Sequence, residues 1–72
     1  NFNAYFQTVL KVVPKLDISE HYRFFYNALG NLTKNANAKQ KQKLLALLKE
    51  SQKRQSDYFK PLYQEFFDKI GG

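Results

Sequence analysis

The chain has 72 residues, with 12 Lys and Arg against 6 Asp and Glu, for a formal net charge of +6. A chain of this length makes one small domain with a thin core. It contains no cysteine, which excludes disulfides, cysteine zinc sites and thiol catalysis. A single histidine leaves few ligands for a metal.

The sequence starts at Asn1 and holds no methionine, so residues 1–72 read as one helical domain, either a processed product or a piece excised from a longer chain. The longest apolar run is Leu44 to Leu48. A bilayer span needs roughly 20 apolar residues, so no segment is expected to cross a membrane.

In the first segment Phe2, Tyr5, Phe6, Val9, Leu10 and Val13 recur at helical spacing, which predicts a helix over about 2–13. Pro14 is expected to end it by forcing Val13 out of the α region. Asp17 with Glu20 three residues on reads as a capping box for a second helix. Its stripe is Ile18, Tyr22, Phe25, Leu29 and Leu32, which sets the helix at about 18–32. Gly30 fits either a C-cap or a tolerated mid-helix position. Residues Thr33 to Asn37 are polar and read as a loop of about seven residues once the flanks are included.

Asn37 and Gln40 offer a second capping pair, opening a helix over about 37–55. Leu44, Leu48, Ser51, Gln55, Tyr58, Leu62, Phe66 and Ile70 keep one helical phase across Pro61. Pro61 argues for a break near Ser56–Lys60 and a fourth helix over about 57–70. The preserved phase leaves open one long helix kinked before Pro61. No segment alternates like a strand. The expected fold is all-α, a compact antiparallel bundle of three or four short helices.

The charge is segregated. Residues 34–54 hold Lys34, Lys39, Lys41, Lys43, Lys49, Lys53 and Arg54 against Glu50 alone, so this segment carries the whole net charge. On a helical wheel Lys39, Lys43, Lys49, Lys53 and Arg54 lie opposite the Leu44/Leu48 stripe. Such a ridge is either an ordinary solvated face or a contact for an anionic partner: nucleic acid, an acidic protein or an anionic membrane surface. The composition favours lysine over arginine, ten to two, which suits phosphate contact better than guanine readout. The polar start Asn37, Lys39, Gln40, Lys41 resembles the exposed end of a recognition helix, but a seven-residue connection is longer than a helix-turn-helix turn.

Twelve aromatics are many for this length. Phe24, Phe25 and Tyr26 are consecutive, so they cannot share one face: Phe25 is in phase with the core, and Phe24 points away. Phe66 fits the stripe while Phe67 sits at its edge. Phe24 and Phe67 are therefore the candidate partner-surface aromatics.

Catalytic material is scarce. Ser19 lies two residues from His21 on another helix face, which makes no local nucleophile–base pair. His21 reads as a partly exposed residue near a helix start, where the dipole disfavours its charge. Glu65 and Asp68 share a face but suit solvent contact beside Lys69. The glycines at 30, 71 and 72 form no phosphate loop. No catalytic residue, metal ligand, cofactor or small-molecule substrate is expected. The sequence supports a non-enzymatic helical interaction module that binds a protein partner or associates with itself. The alternatives are a nucleic-acid-binding domain using the 39–54 ridge, and a secreted cationic protein acting at a membrane surface without spanning it.

Overall fold

Periodic apolar residues fold into four α-helices among residues 1–71, the part of the chain described by the computed structural model. They are α1 (Phe2–Val12), α2 (Ile18–Asn35), α3 (Ala38–Arg54) and α4 (Gln64–Gly71). Short 3₁₀ turns over Val13–Lys15 and Lys60–Tyr63 follow α1 and precede α4. No strand occurs among the described residues, and the all-α bundle stands as expected.

Pro14 acts later than expected. Val13 stays in the helical region at φ −56°, ψ −44°, and its N–H still donates to the Val9 carbonyl. A proline near the start of a 3₁₀ turn sacrifices no helical donor, so the chain turns extended only at Leu16 (ψ 152°).

The boundary of α2 differs at both ends. Asp17 occupies the N-cap position but its side chain caps nothing. Glu20 instead approaches Arg23 at 3.9 Å on the exposed face. At the other end the helix runs through Gly30 and Thr33 to Asn35. Polar side chains there bond back into the helix: Thr33 Oγ1 donates to the Gly30 carbonyl, and Asn35 Nδ2 donates to the Asn31 carbonyl and side chain. These bonds return the side-chain donors to carbonyls inside the helix, and the burial of Leu32, with Ala36 packed against the core, favours helix through this polar stretch. Only Ala36 and Asn37 separate α2 from α3. The expected Asn37 capping box is present. Its Oδ1 accepts from the Gln40 N–H at 2.8 Å, and Gln40 Oε1 accepts from the Asn37 N–H at 3.0 Å.

The third and fourth segments are separate helices, not one kinked rod. The chain leaves α3 at Gln55 (φ −80°, ψ 157°) and turns over Ser56–Phe59, with Gln52 Nε2 donating to the Lys60 carbonyl across the turn. Pro61 then sits in the first turn of the Lys60–Tyr63 segment, where its missing N–H costs nothing. Phe66 and Ile70 keep the expected stripe and are buried, but the turn displaces the two stripe positions before them. Tyr58 and Leu62, in phase on a straight helix, are exposed, and Tyr63 enters the core in their place.

Contacts between helix ends fix the topology. His21 near the start of α2 meets Ser51 near the end of α3, so these two run antiparallel. Asn3 meets Gln40 at one end of the molecule and Pro14 meets Arg54 at the other, so α1 and α3 run parallel. The α4 helix packs against both α2 and α3. The core is Phe6, Val9 and Val13 from α1, Phe25, Leu29 and Leu32 from α2, Leu44 and Leu48 from α3, and Tyr63, Phe66 and Ile70. The rings of Tyr22, Phe25, Tyr63 and Phe66 lie mutually packed, with contacting centroids from 5.2 Å (Tyr22–Phe66) to 6.4 Å (Tyr22–Tyr63). Bulky rings thus fill the space between α2 and α4, as a thin core requires.

Candidate functional site

Burying Leu44 and Leu48 at 0% exposure turns the opposite side of α3 to solvent. Lys39, Lys43, Lys49, Lys53 and Arg54 are all exposed, as their wheel positions predict. Glu50 approaches Lys53 at 3.9 Å, but both side chains are more than two-thirds exposed, so the pair contributes little. Arg54 Nη1 donates a long 3.4 Å bond to the Pro14 carbonyl. Lys39, Lys43 and Lys49 make no ion pair among the described residues. The polar start of α3 is less free: Asn37 and Gln40 are held in the capping box, and Gln40 Nε2 also donates to Asn3 Oδ1.

Between α1 and α3 lies a groove of about 380 Å³. Leu10 and Pro14 form one side, Ala46 and Leu47 the other, and His21 and Ser51 also line it. Lys43, Glu50 and Arg54 stand at its rim. The half-buried Leu10 and Leu47 give it an apolar floor that the thin bundle leaves uncovered. A second groove of about 570 Å³ borders Tyr5, Leu16, Arg23, Phe24 and Asn27. Phe24 is half-buried there and packs on the core, and so does Phe67. Each ring lies at the edge of the core stripe, where a small bundle covers part of it and leaves the rest open. The exposed rings are Tyr5, Tyr26 and Tyr58, at 41%, 60% and 73%.

The largest departure from expectation is His21, which is 1% exposed. Helix α2 turns it inward at the end of the hairpin, one turn before Phe25. Nε2 lies 3.2 Å from the Leu16 carbonyl, which can only accept, so Nε2 carries the ring proton and Nδ1 accepts. Ser51 therefore donates to Nδ1 at 2.7 Å, and Tyr63 donates to Ser51 Oγ at 2.6 Å. Gln55 Nε2 completes the chain, donating to Tyr63 Oη at 2.9 Å and to the Ile18 carbonyl at 3.1 Å. Every donor points the same way, from Gln55 toward His21. No buried side-chain polar atom among the described residues lacks a partner. Burial lowers the His21 pKa below its ordinary 6.5, and the Arg54 charge adds to that, against the raising effect of the Leu16 carbonyl.

Ser51 and His21 have the composition of a nucleophile and its base. Ser51 is, however, 2% exposed and saturated by Tyr63, and its neighbouring N–H groups are consumed within α3. The chemistry this arrangement supports is cohesion: it ties the start of α2 to the end of α3 and to the segment entering α4. Position carried one usable signal, because Ser51 and Gln55 fall on the Leu44/Leu48 stripe, and a polar residue in a core stripe needs a buried partner. No group of three His, Asp or Glu side chains converges among the described residues.

Comparison with protein-family models, with curated proteins and with solved structures finds no match to this chain.

Proposed function

We propose that this protein is a non-enzymatic interaction module that binds a protein partner through the groove between α1 and α3. The observation that carries this reading is the uncovered apolar floor of Leu10, Pro14, Ala46 and Leu47, flanked by cations that the fold leaves available. Apolar floors with polar rims are the usual anatomy of a protein contact. The reading is tested by titrating the chain with amphipathic helical peptides and following its backbone amide resonances. Shifts confined to the groove, and lost with Ala46→Arg, support it. Saturating peptide that leaves the groove unmoved overturns it.

A second reading, binding of nucleic acid, is favoured by the exposure of Lys39, Lys49 and Lys53 away from the groove. With Asn37 and Gln40 committed to the cap, such binding would rest on phosphates and not on base edges. Affinity for a duplex would fall with salt at a log–log slope of about −0.9 per phosphate engaged, roughly −3 for three lysines. Lys39→Glu with Lys49→Glu would abolish it and leave the melting temperature nearly unchanged. Association with a membrane surface has less support, because α3 would have to withdraw Leu44 and Leu48 from the core to insert.

A further inference from the structure

The walls of the α1–α3 groove restrict what can lie in it, given the reading of that groove as a docking surface. Both walls are helical, and their backbone groups are already paired. The Val13 N–H donates to Val9, and the Leu16 N–H donates to Val13. A segment lying there finds no free backbone edge to pair with, so an extended strand would desolvate its own N–H and C=O groups without return. A helix arrives with those groups satisfied.

The rim adds a charge requirement. Lys43 and Arg54 stand at the two ends of the α3 wall and are both exposed. They are eleven residues apart, about 17 Å at 1.5 Å per residue, which is three helical turns. Glu50 lies between them as the one carboxylate on this wall, and its exposed pair with Lys53 does little to neutralise it. On the α1 side, exposed Lys11 borders a separate, smaller depression with Gln7 and Thr8. Two cations and one carboxylate thus stand on the α3 wall, facing the uncharged Leu10 and Pro14 across the groove. A second copy of this chain is a poor occupant: α4 carries Glu65 and Asp68, but it spends Phe66 and Ile70 in its own core.

We infer that the α1–α3 groove takes an acidic amphipathic α-helix of about three turns from a different protein, its apolar stripe on Leu10, Ala46 and Leu47 and its carboxylates at Lys43 and Arg54.

The test uses the full chain, isotopically labelled, and three peptides of equal length. One is an amphipathic helix former with a leucine stripe and glutamates elsewhere. The second carries lysines in place of the glutamates. The third has the composition of the first, scrambled so that no stripe forms. The acidic amphipathic peptide should gain helicity on binding and shift the amides of Leu10, Lys43, Ala46, Leu47 and Arg54. It should bind on the order of tenfold tighter than the lysine peptide, and Lys43→Glu with Arg54→Glu should reverse that preference. Ala46→Arg, made at an exposed position, should remove binding while the thermal melt stays cooperative.

A lysine peptide that occupies the groove as tightly as the acidic one overturns the charge assignment and leaves the groove reading standing. A scrambled peptide that binds equally, with shifts at Lys39 and Lys49, reduces the effect to unspecific electrostatics and overturns the proposal. Binding without gain of helicity overturns the helical occupant. If none of the three perturbs the groove, both the proposal and the groove reading fall.

Discussion

The α2–α3 hairpin has two ends of opposite character. Near the connection at Ala36–Asn37 the buried side chains are Leu29, Leu32 and Leu44, without a polar atom among them. At the far end, His21, Ser51 and Gln55 are buried beside Tyr63 in a chain of directed hydrogen bonds. Apolar packing is non-directional and accepts changes of shape at modest cost. A hydrogen-bonded chain fixes which residue faces which, because a slip of α3 against α2 strands several buried groups at once. The leucine end therefore supplies cohesion, and the polar end sets register.

Phe25 lies between the two ends, at 0% exposure and against Tyr63 and Phe66. Its truncation should have the largest effect. Phe25→Ala is expected to cost about 3–5 kcal/mol in chemical denaturation, enough to unfold a domain of this size. Phe24→Ala, at a half-buried ring one position earlier, should cost clearly less. Equal costs would mean that the cluster between α2 and α4 contributes no more than the groove edge.

Ser51→Ala comes next. It removes the donor to His21 and the acceptor for Tyr63, leaving two buried groups unpaired at about 1–3 kcal/mol each. Leu44→Met at the leucine end conserves volume and should cost less than about 1.5 kcal/mol. Denaturant melts of the two variants measure the contrast directly. If Ser51→Ala is the milder change, the polar chain does not set the register.

The sequence announced the leucine end and concealed the polar one, for a physical reason. Leu29, Leu32, Leu44 and Leu48 declare burial by type and by spacing within one helix. The partnership of His21 with Ser51 spans thirty residues and exists only once α2 and α3 are aligned. Serine and glutamine at core-stripe positions 51 and 55 were the available hint. The Asp17 capping box did not form: the Asp17 side chain makes no cap bond, and Glu20 lies toward Arg23 one turn on. The Thr33–Asn37 loop failed because Leu32 and Ala36 pack on the core one turn apart, which carries the helix through the polar residues between them. The basic ridge was visible in full, since exposure on a helix follows from the phase of its buried side. The groove beside it was not, because it depends on how α1 lies against α3.

The polar end should also respond to pH where the leucine end does not. The His21 pKa is lowered in the fold, chiefly by burial. Between that value and 6.5 the unfolded chain binds more protons, so stability rises with pH in this window. The His21 contribution is fully present above 6.5 and is lost as pH falls toward and through the folded value. One site limits the slope to about 1.4 kcal/mol per pH unit. Protonation also converts Nδ1 from acceptor to donor, which opposes the Ser51 hydrogen. Denaturant melts at pH 5.5 and 7.5 should show a loss of stability on acidification. His21→Gln should flatten that difference, and an unchanged difference would place the titration elsewhere.

The smallest expected effect lies at the leucine end and is a gain. Gly30 sits inside α2 between Leu29 and Leu32, on the exposed side, and a Cβ built there meets nothing within 4 Å. Its helical conformation needs no glycine, so the residue only adds freedom to the unfolded chain. Gly30→Ala should stabilise the domain by about 0.5–1 kcal/mol. For a chain of this size that raises the melting temperature by roughly 4–8 °C per kcal/mol. Because Gly30 is remote from His21 and Ser51, its gain should add to the loss from Ser51→Ala without coupling. A double variant whose stability departs from that sum by more than about 0.5 kcal/mol would show that the two ends of the hairpin are not independent.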